Sequence, residues 1–372
     1  MIRFLLYSLL LVALIGCTAP KKLNRKLGYF EPKNSSGETI VNTNGGSTDS
    51  FSGRLNLLYE KKIRGAINSP IYAGDDFIGF LTTRNRFLFF DPETGKRICR
   101  VKKGKGYILN PVVTDSLIVL VRKIPLGEIR VRNLFTNKTI QERTVNQIRS
   151  GPILCNNSLA IGTTTGIELL SLPELRTEWT FDVKTIIDLT PQTDGETVYF
   201  AGGGGLVGAV NASDGGLVWK QELKRDIVSE MTLGTYLYLG LDDGAVLALD
   251  VRTGREVWET QLECEVHGQF SEANGLLYFG GTDTKVYALS VNTGEIVWSF
   301  ATAGIVTAPP ITFGNSVIVG SYDRHLYSLD RETGQLLDKQ LLEGPVNFAA
   351  MVHKNKILVA CRKNRLYCFE GN

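Results

Sequence analysis

The sequence predicts an all-β protein: one eight-bladed β-propeller of four-stranded antiparallel blades, with the ring closed by an N-terminal strand joining the C-terminal blade. Six-residue apolar phrases recur eight times, 38 to 42 residues apart. Each repeat contains four short apolar runs without helical periodicity, and the two ends of the repeat array complement each other. A period of about 40 residues is typical of solenoids and propellers. Four strands per repeat and complementary ends favour the closed propeller.

Each phrase is predicted to be the third strand of a blade, because its apolar residues alternate and its last residue is one that starts turns. In five copies a glycine follows four places on, which permits the positive φ of a tight turn. Pro or a small residue begins most repeats, which fits a crowded innermost strand. The phrases are RFLFFD (86–91), EIRVRN (128–133), GIELLS (166–171), LVGAVN (206–211), AVLALD (245–250), KVYALS (285–290), HLYSLD (325–330) and RLYCFE (365–370).

Every tryptophan of the chain occupies one position of the repeat, in the strand that follows the turn. A Trp side chain is large, and its indole N–H needs a hydrogen-bond partner when it is buried. We therefore predict that the tryptophans are structural pegs between neighbouring blades rather than a ligand platform. They are Trp179, Trp219, Trp258 and Trp298. Cys99 stands at the same position of an earlier repeat and is expected to be buried.

The last repeat ends at residues 370–372 and has no outer strand of its own. Residues 54–63 resemble an outer strand that lacks the rest of its blade. We predict that they pair with the last three strands, so that neither end of the repeat array is left with an unpaired strand edge. Residues 51–372 then form one propeller domain.

The N-terminus carries the features of an exported, lipid-anchored protein. Residues 1–16 contain Arg3 and an apolar run too short to span a bilayer, as in a signal peptide. Leu14-Ile15-Gly16-Cys17 resembles the bacterial lipobox, which implies cleavage before Cys17 and acylation of Cys17. Residues 17–50 are predicted to be a flexible tether. Thr18 is not the Asp that retains lipoproteins at the inner membrane, so the resemblance implies the periplasmic face of the outer membrane.

Composition and motifs argue against catalysis, metal binding and nucleic-acid binding. The net charge is only +3, and no basic, aromatic-interleaved stripe is present. The three histidines lack Cys or carboxylate partners at metal-ligand spacing. Gly202–Gly205 lacks the Lys-Ser/Thr and the helix of a phosphate-binding loop, so it is predicted to be a turn. The odd number of cysteines after Cys17 predicts free thiols.

Residues 286–298 (VYALSVNTGEIVW) and 246–258 resemble the repeat first known from pyrroloquinoline-quinone dehydrogenases. That resemblance implies the propeller fold. Quinone-binding members use adjacent cysteines, a Trp floor and a Ca²⁺ site. The chain has no adjacent cysteines and its tryptophans are predicted pegs, so no cofactor is expected.

The lipobox, the tether and eight such blades resemble the BamB family, lipoproteins of the outer-membrane β-barrel assembly machinery. The resemblance implies a non-enzymatic scaffold that binds the periplasmic POTRA domains of a BamA-like barrel protein, and further implies a role with unfolded barrel precursors. The family's binding loops correspond to two inter-blade segments, although the family's Leu-x-Leu-Arg pattern and paired Asp are not reproduced. The implied partner-binding residues are Ile186, Ile187, Asp188, Arg225, Asp226 and Ile227.

Two other hypotheses remain open at this stage. The first is an envelope propeller lipoprotein that binds glycan or serves as a sensor in signalling. The second, less favoured, is a quinoprotein oxidoreductase.

Overall fold

The computed structural model describes residues 52–371 apart from 75–76, 85, 103–109, 115, 124–126, 135 and 146. The predicted signal peptide, the predicted lipidation site Cys17 and the tether lie outside the described residues. The described strands form eight four-stranded antiparallel sheets. The predicted fold class is therefore confirmed. Within the described ranges, no helix has the length and apolar character needed to cross a membrane.

Strand β1 is Leu55–Lys62. The next sixteen strands form blades 1 to 4 in chain order: β2 (Tyr72–Gly74), β3 (Phe77–Thr82), β4 (Arg86–Phe90) and β5 (Arg97–Lys102); β6 (Val112–Val113), β7 (Leu117–Arg122), β8 (Gly127–Asn133) and β9 (Thr139–Val145); β10 (Ile153–Cys155), β11 (Ser158–Gly162), β12 (Gly166–Ser171) and β13 (Thr177–Asp182); β14 (Gln192–Thr193), β15 (Thr197–Gly202), β16 (Leu206–Asn211) and β17 (Leu217–Glu222). A 3₁₀ turn, Gly203–Gly205, joins β15 to β16.

The remaining strands form blades 5 to 8: β18 (Thr232–Leu233), β19 (Leu237–Gly240), β20 (Ala245–Leu249) and β21 (Glu256–Gln261); β22 (Ser271–Ala273), β23 (Leu276–Gly280), β24 (Lys285–Ser290) and β25 (Ile296–Ala301); β26 (Ile311–Phe313), β27 (Ser316–Gly320), β28 (His325–Asp330) and β29 (Leu336–Leu341); β30 (Met351–His353), β31 (Lys356–Cys361) and β32 (Arg365–Gly371). In blade 8 the outer strand is β1, and the sheet order is β1-β32-β31-β30.

The pairing of β1 with β32 closes the ring as predicted. The two strands are antiparallel, with Leu55 opposite Gly371 and Lys62 opposite Arg365. Blade 8 also packs directly on blade 1: Leu358 and Phe80 belong to one buried apolar cluster. The array therefore has no open end within the described ring.

The core lies in thin layers between successive blades. Each layer combines apolar side chains of one blade with those of the next, as in the cluster that joins Tyr238 and Trp258 of blade 5 to Phe279 of blade 6. Because the middle strands are covered on both sides, nearly all their residues are buried, as in β20 and β31. Edge strands are more exposed.

The predicted tryptophan pegs are buried at these layers. Each indole N–H donates to a backbone carbonyl of the next blade, as in Trp258 to Val291 (2.7 Å). Each ring also packs on the turn glycine of that blade, as Trp258 does on Gly294. The other three bonds run from Trp179 to Ala212 (2.8 Å), from Trp219 to Val251 (2.9 Å) and from Trp298 to Arg331 (2.9 Å).

The five cysteines of the described part are free and buried. Cys99 occupies the peg position of blade 1 and is 7% exposed, as predicted. Burial raises the pKa of the Cys99 thiol to about 12 and that of Cys368 to about 11. These thiols are therefore protonated and poorly nucleophilic at neutral pH.

The antiparallel order of each blade gives the ring two distinct faces. The connections between blades and the turns between second and third strands share one face, here called the connection face; residues 183–191 and 203–205 are examples. The turns between first and second strands and between third and fourth strands share the other, the hairpin face. Residues 212–216 are an example.

Candidate partner-binding surface

The two segments implicated by sequence lie on the connection face, one on each side of blade 4. The first connects β13 to β14, and the second connects β17 to β18. The glycine turn of blade 4 lies between them and contacts both. The Gly203 N–H donates to the Ile186 carbonyl (3.2 Å), and the Leu223 N–H donates to the Gly205 carbonyl (3.0 Å). Residues 186–188, 203–205 and 225–227 are called the blade-4 surface below.

The three predicted residues of the first connection differ in burial. Ile186 is 40% exposed and Asp188 is exposed, whereas Ile187 is fully buried. The Ile187 N–H donates to the Thr163 carbonyl of blade 3 (3.0 Å). Ile187 therefore holds the connection in place, and Ile186 and Asp188 are the two side chains of this trio that face solvent.

The second connection is held by an ion-pair network with blade 5. Arg225 donates to both oxygens of Glu259 (3.0 and 2.6 Å) and to Asp243 (3.1 Å). Hydrogen bonding to Glu259, and then to Asp243, raises the pKa of the Arg225 guanidinium. Asp226 is exposed, while Ile227 is half-buried and forms an isolated β-bridge with Leu241. Arg225 is thus oriented by its own chain.

The glycine turn requires glycine at its two ends because the flanking connections approach so closely. A Cβ at Gly202 would lie 2.0 Å from the Ile186 carbonyl oxygen, and one at Gly205 would lie 2.2 Å from that of Arg225. Gly204 and Gly205 also have positive φ (73° and 72°). The turn leads from β15 into β16, so the predicted hairpin turn is confirmed.

The tryptophans do not fit a quinone site, because all four rings are enclosed between blades with their indole N–H groups bonded. Within the described ranges, no group of three or more His, Cys, Asp and Glu side chains has a geometry that would hold a metal ion.

The model of the family described as outer membrane protein assembly factor BamB matches residues 167–263 and 242–371. The chain belongs to this family. The match confirms the resemblance predicted from the repeat. Comparison with curated proteins found no match.

Solved structures share the fold of this BamB-family chain at low sequence identity. BamB from Moraxella catarrhalis is 18% identical, with a TM-score of 0.70 over 85% of this chain and 100% of that one. The quinohemoprotein alcohol dehydrogenase from Comamonas testosteroni is 12% identical, with a TM-score of 0.69 over 87% of this chain and 78% of that one. The computationally designed protein Ika8 is 15% identical, with a TM-score of 0.73 over 85% and 100%. These likenesses concern the fold alone.

Sequence reasoning missed two features. Tyr59 is the peg of blade 8: its hydroxyl donates to the Pro92 carbonyl (2.8 Å), and its ring packs on Gly95. The spacing from a turn glycine could not reveal Tyr59, because its strand is separated from its blade in the chain. The second feature is a polar cleft between blades 2 and 3. Glu168, which stands where other repeats carry Leu247 and Tyr287, was the available signal.

Proposed function

We propose that this protein is a non-enzymatic scaffold of outer-membrane β-barrel assembly. It binds the periplasmic POTRA region of a BamA-like barrel protein through the blade-4 surface. Membership of the BamB family supports the assembly role. The observation that carries the choice of surface is that the two implicated connections lie on one face of the ring, with the glycine turn between them in contact with both.

The composition of the blade-4 surface suits a protein partner. Ile186 offers an exposed apolar side chain, and Asp188 and Asp226 place charges around it. Interfaces commonly have an apolar centre and a polar rim. Gly203 and Gly204 have nothing near their missing Cβ positions, so a partner backbone can approach closely there. Because Arg225 is already fixed by Glu259, little side-chain freedom is lost on binding.

The start of the described chain is compatible with a lipid anchor that leaves this surface free. The described chain enters at the hairpin face of blade 8, where Gly53 packs against Leu337 and Leu55 pairs with Gly371. Blade 8 is four blades from blade 4, on the opposite side of the ring. We propose that Cys17 is acylated and holds the protein at the periplasmic face of the outer membrane. Cys17→Ser is expected to move the protein from the membrane fraction to the soluble periplasmic fraction.

Co-purification from solubilised membranes tests the partner. Wild-type protein is expected to capture the BamA-like barrel protein, and Ile186→Asp is expected to reduce capture at least about tenfold, equivalent to about 1.4 kcal/mol. Ile296→Asp is the matched control, since Ile296 is 47% exposed on the outer strand of blade 6. Failure of the wild-type protein to capture any such barrel would refute the proposal. Equal loss in both variants would refute the choice of surface.

A further inference from the structure

A polar cleft of about 550 Å³ opens between blades 2 and 3, next to the first connection of the blade-4 surface. Its walls are the end of β9, the turn between β11 and β12, and the end of β13. This volume is within the range of ligand pockets in proteins, about 300 to 1,000 Å³.

The junction between blades 2 and 3 differs from the four Trp junctions in lacking an aromatic peg. In blades 3 to 6 the peg is a buried Trp, but the corresponding residue of blade 2 is Gln141, which is exposed. The position two residues after the peg holds Phe300 in blade 6 and Arg143 in blade 2. The Arg143 guanidinium spans part of the junction and donates to the Leu175 carbonyl (2.7 Å) and to Glu168 (2.8 Å). The rest of the layer, with Val131 of blade 2 and Leu170 of blade 3, is a buried apolar cluster, and the cleft opens at its connection-face end.

The base of the cleft is polar because Glu168 occupies a position that carries Leu247 in blade 5 and Tyr287 in blade 6. Glu168 is 9% exposed, and it accepts hydrogen bonds from Arg143 and from the Thr177 hydroxyl (2.6 Å). A buried carboxylate is costly unless it is paired. The pair with Arg143 satisfies that need, and the cleft wall gains donors and acceptors instead of apolar surface.

Backbone hydrogen bonds join the cleft to the blade-4 surface. The Thr165 carbonyl, in the cleft wall, accepts from the N–H groups of Val183 (2.8 Å) and Lys184 (2.9 Å). The neighbouring Thr163 carbonyl accepts from Ile187. Ile186 therefore projects from a segment that is fixed directly to the cleft wall.

We propose that the cleft binds a short polar segment of the same protein partner, one that presents hydrogen-bond donors and a basic side chain. This inference rests on the proposed function. Threonine hydroxyls can pair with either backbone group of a peptide, and Arg143 neutralises Glu168. The exposed Asp182 therefore leaves the cleft with a negative charge for a basic side chain.

A peptide fits this cleft better than a sugar does. Phe181 is the aromatic residue among those lining the cleft, but its ring packs against Phe200 in the layer between blades 3 and 4, with the ring centroids 5.9 Å apart. Its face is therefore directed away from blade 2 and does not provide a stacking surface for a sugar ring.

The experiment fills the cleft while keeping both residues of its ion pair. Thr180→Trp places a bulky side chain at an exposed position of the cleft wall. Ser299→Trp is the matched control, because Ser299 also follows the peg tryptophan, is exposed and lies on blade 6. Affinity for the isolated POTRA region is measured with each variant, and thermal unfolding confirms that both are folded.

We expect Thr180→Trp to weaken binding at least about tenfold, and Ser299→Trp to change it less than twofold. Hydrogen exchange of residues 163–168 is expected to slow when the POTRA region is bound. Unchanged affinity of Thr180→Trp, with Ile186→Asp still defective, would overturn the role of the cleft and leave the proposed function intact. Failure of the wild-type protein to bind the POTRA region would overturn the proposed function itself.

Discussion

Tyr59 is expected to stabilise the closure of the ring between blades 8 and 1. It follows the β-bulge of its strand, as the tryptophans do in other blades, and its hydroxyl and ring make the same two contacts with the next blade. Here, however, the next blade is blade 1, so the contacts join the two ends of the array. Replacing Tyr59 therefore weakens ring closure without removing any strand pairing.

The expected magnitudes follow from these contacts. Tyr59→Phe removes one hydrogen bond, to the Pro92 carbonyl, and should lower the free energy of unfolding by about 1 kcal/mol. Truncation of a fully buried aromatic side chain costs about 3 to 5 kcal/mol. Tyr59 is half-buried, so Tyr59→Ala should cost about 2 to 3 kcal/mol in total. A typical domain has about 5 to 15 kcal/mol of stability, which leaves both variants folded.

Urea unfolding followed by tryptophan fluorescence measures these losses. Leu57→Ala is the control on the same strand, because Leu57 is 52% exposed and should change stability by less than about 0.5 kcal/mol. The reasoning would be refuted if Tyr59→Ala were as stable as the wild type. It would also be refuted if Leu57→Ala were equally destabilising, since the strand rather than the peg would then be responsible.

Four further outcomes are expected. Trp258→Phe keeps an aromatic ring but loses the hydrogen bond of the indole N–H, so chemical denaturation should show a free energy of unfolding lower by about 1 kcal/mol. An unchanged free energy of unfolding would show that this bond does not stabilise the fold. Gly202→Ala forces the Ile186 carbonyl aside and should cost about 1 to 3 kcal/mol and weaken partner capture, whereas unaltered capture would show that the turn can shift freely. Burial raises the pKa of Tyr199 from 10.0 to about 12. Because ionisation disfavours the folded state, stability should be complete below pH 10 and fall between about pH 10 and 12 in unfolding curves, and a flat profile would contradict this. A thiol reagent should modify Cys99 and the other four buried cysteines only after unfolding, and rapid labelling of folded protein would contradict their burial.

Much of the fold could be predicted because the residues that determine the structure of a blade lie close together within one repeat. The phrases, the turn glycines and the tryptophans lie within 20 residues of one another, so their spacing reports directly on one blade. The closing strand was predictable for a related reason: one repeat lacked an outer strand, and residues 54–63 had the pattern that was missing.

The candidate surface was less predictable, because exposure depends on contacts between segments distant in sequence. Ile186 and Ile187 are chemically identical neighbours, yet only the contacts with blades 3 and 4 decide that the second is buried. The cleft likewise depends on the layer between blades 2 and 3. Gln141 and Arg143 mark that layer in the sequence, but the size of the opening follows from the packing of two blades.

The position of β32 in blade 8 also determines when the molecule can be completed. Among the described strands β1 is synthesised first, but its partner β32 is synthesised last, with Leu55 opposite Gly371. Pairings so distant in sequence are slow to form, because a long loop must close first. β32 is also the link between β1 and β31, so a chain that ended before Arg365 would leave β1 without a sheet. Closure of the ring therefore waits until residues 365–371 have been synthesised.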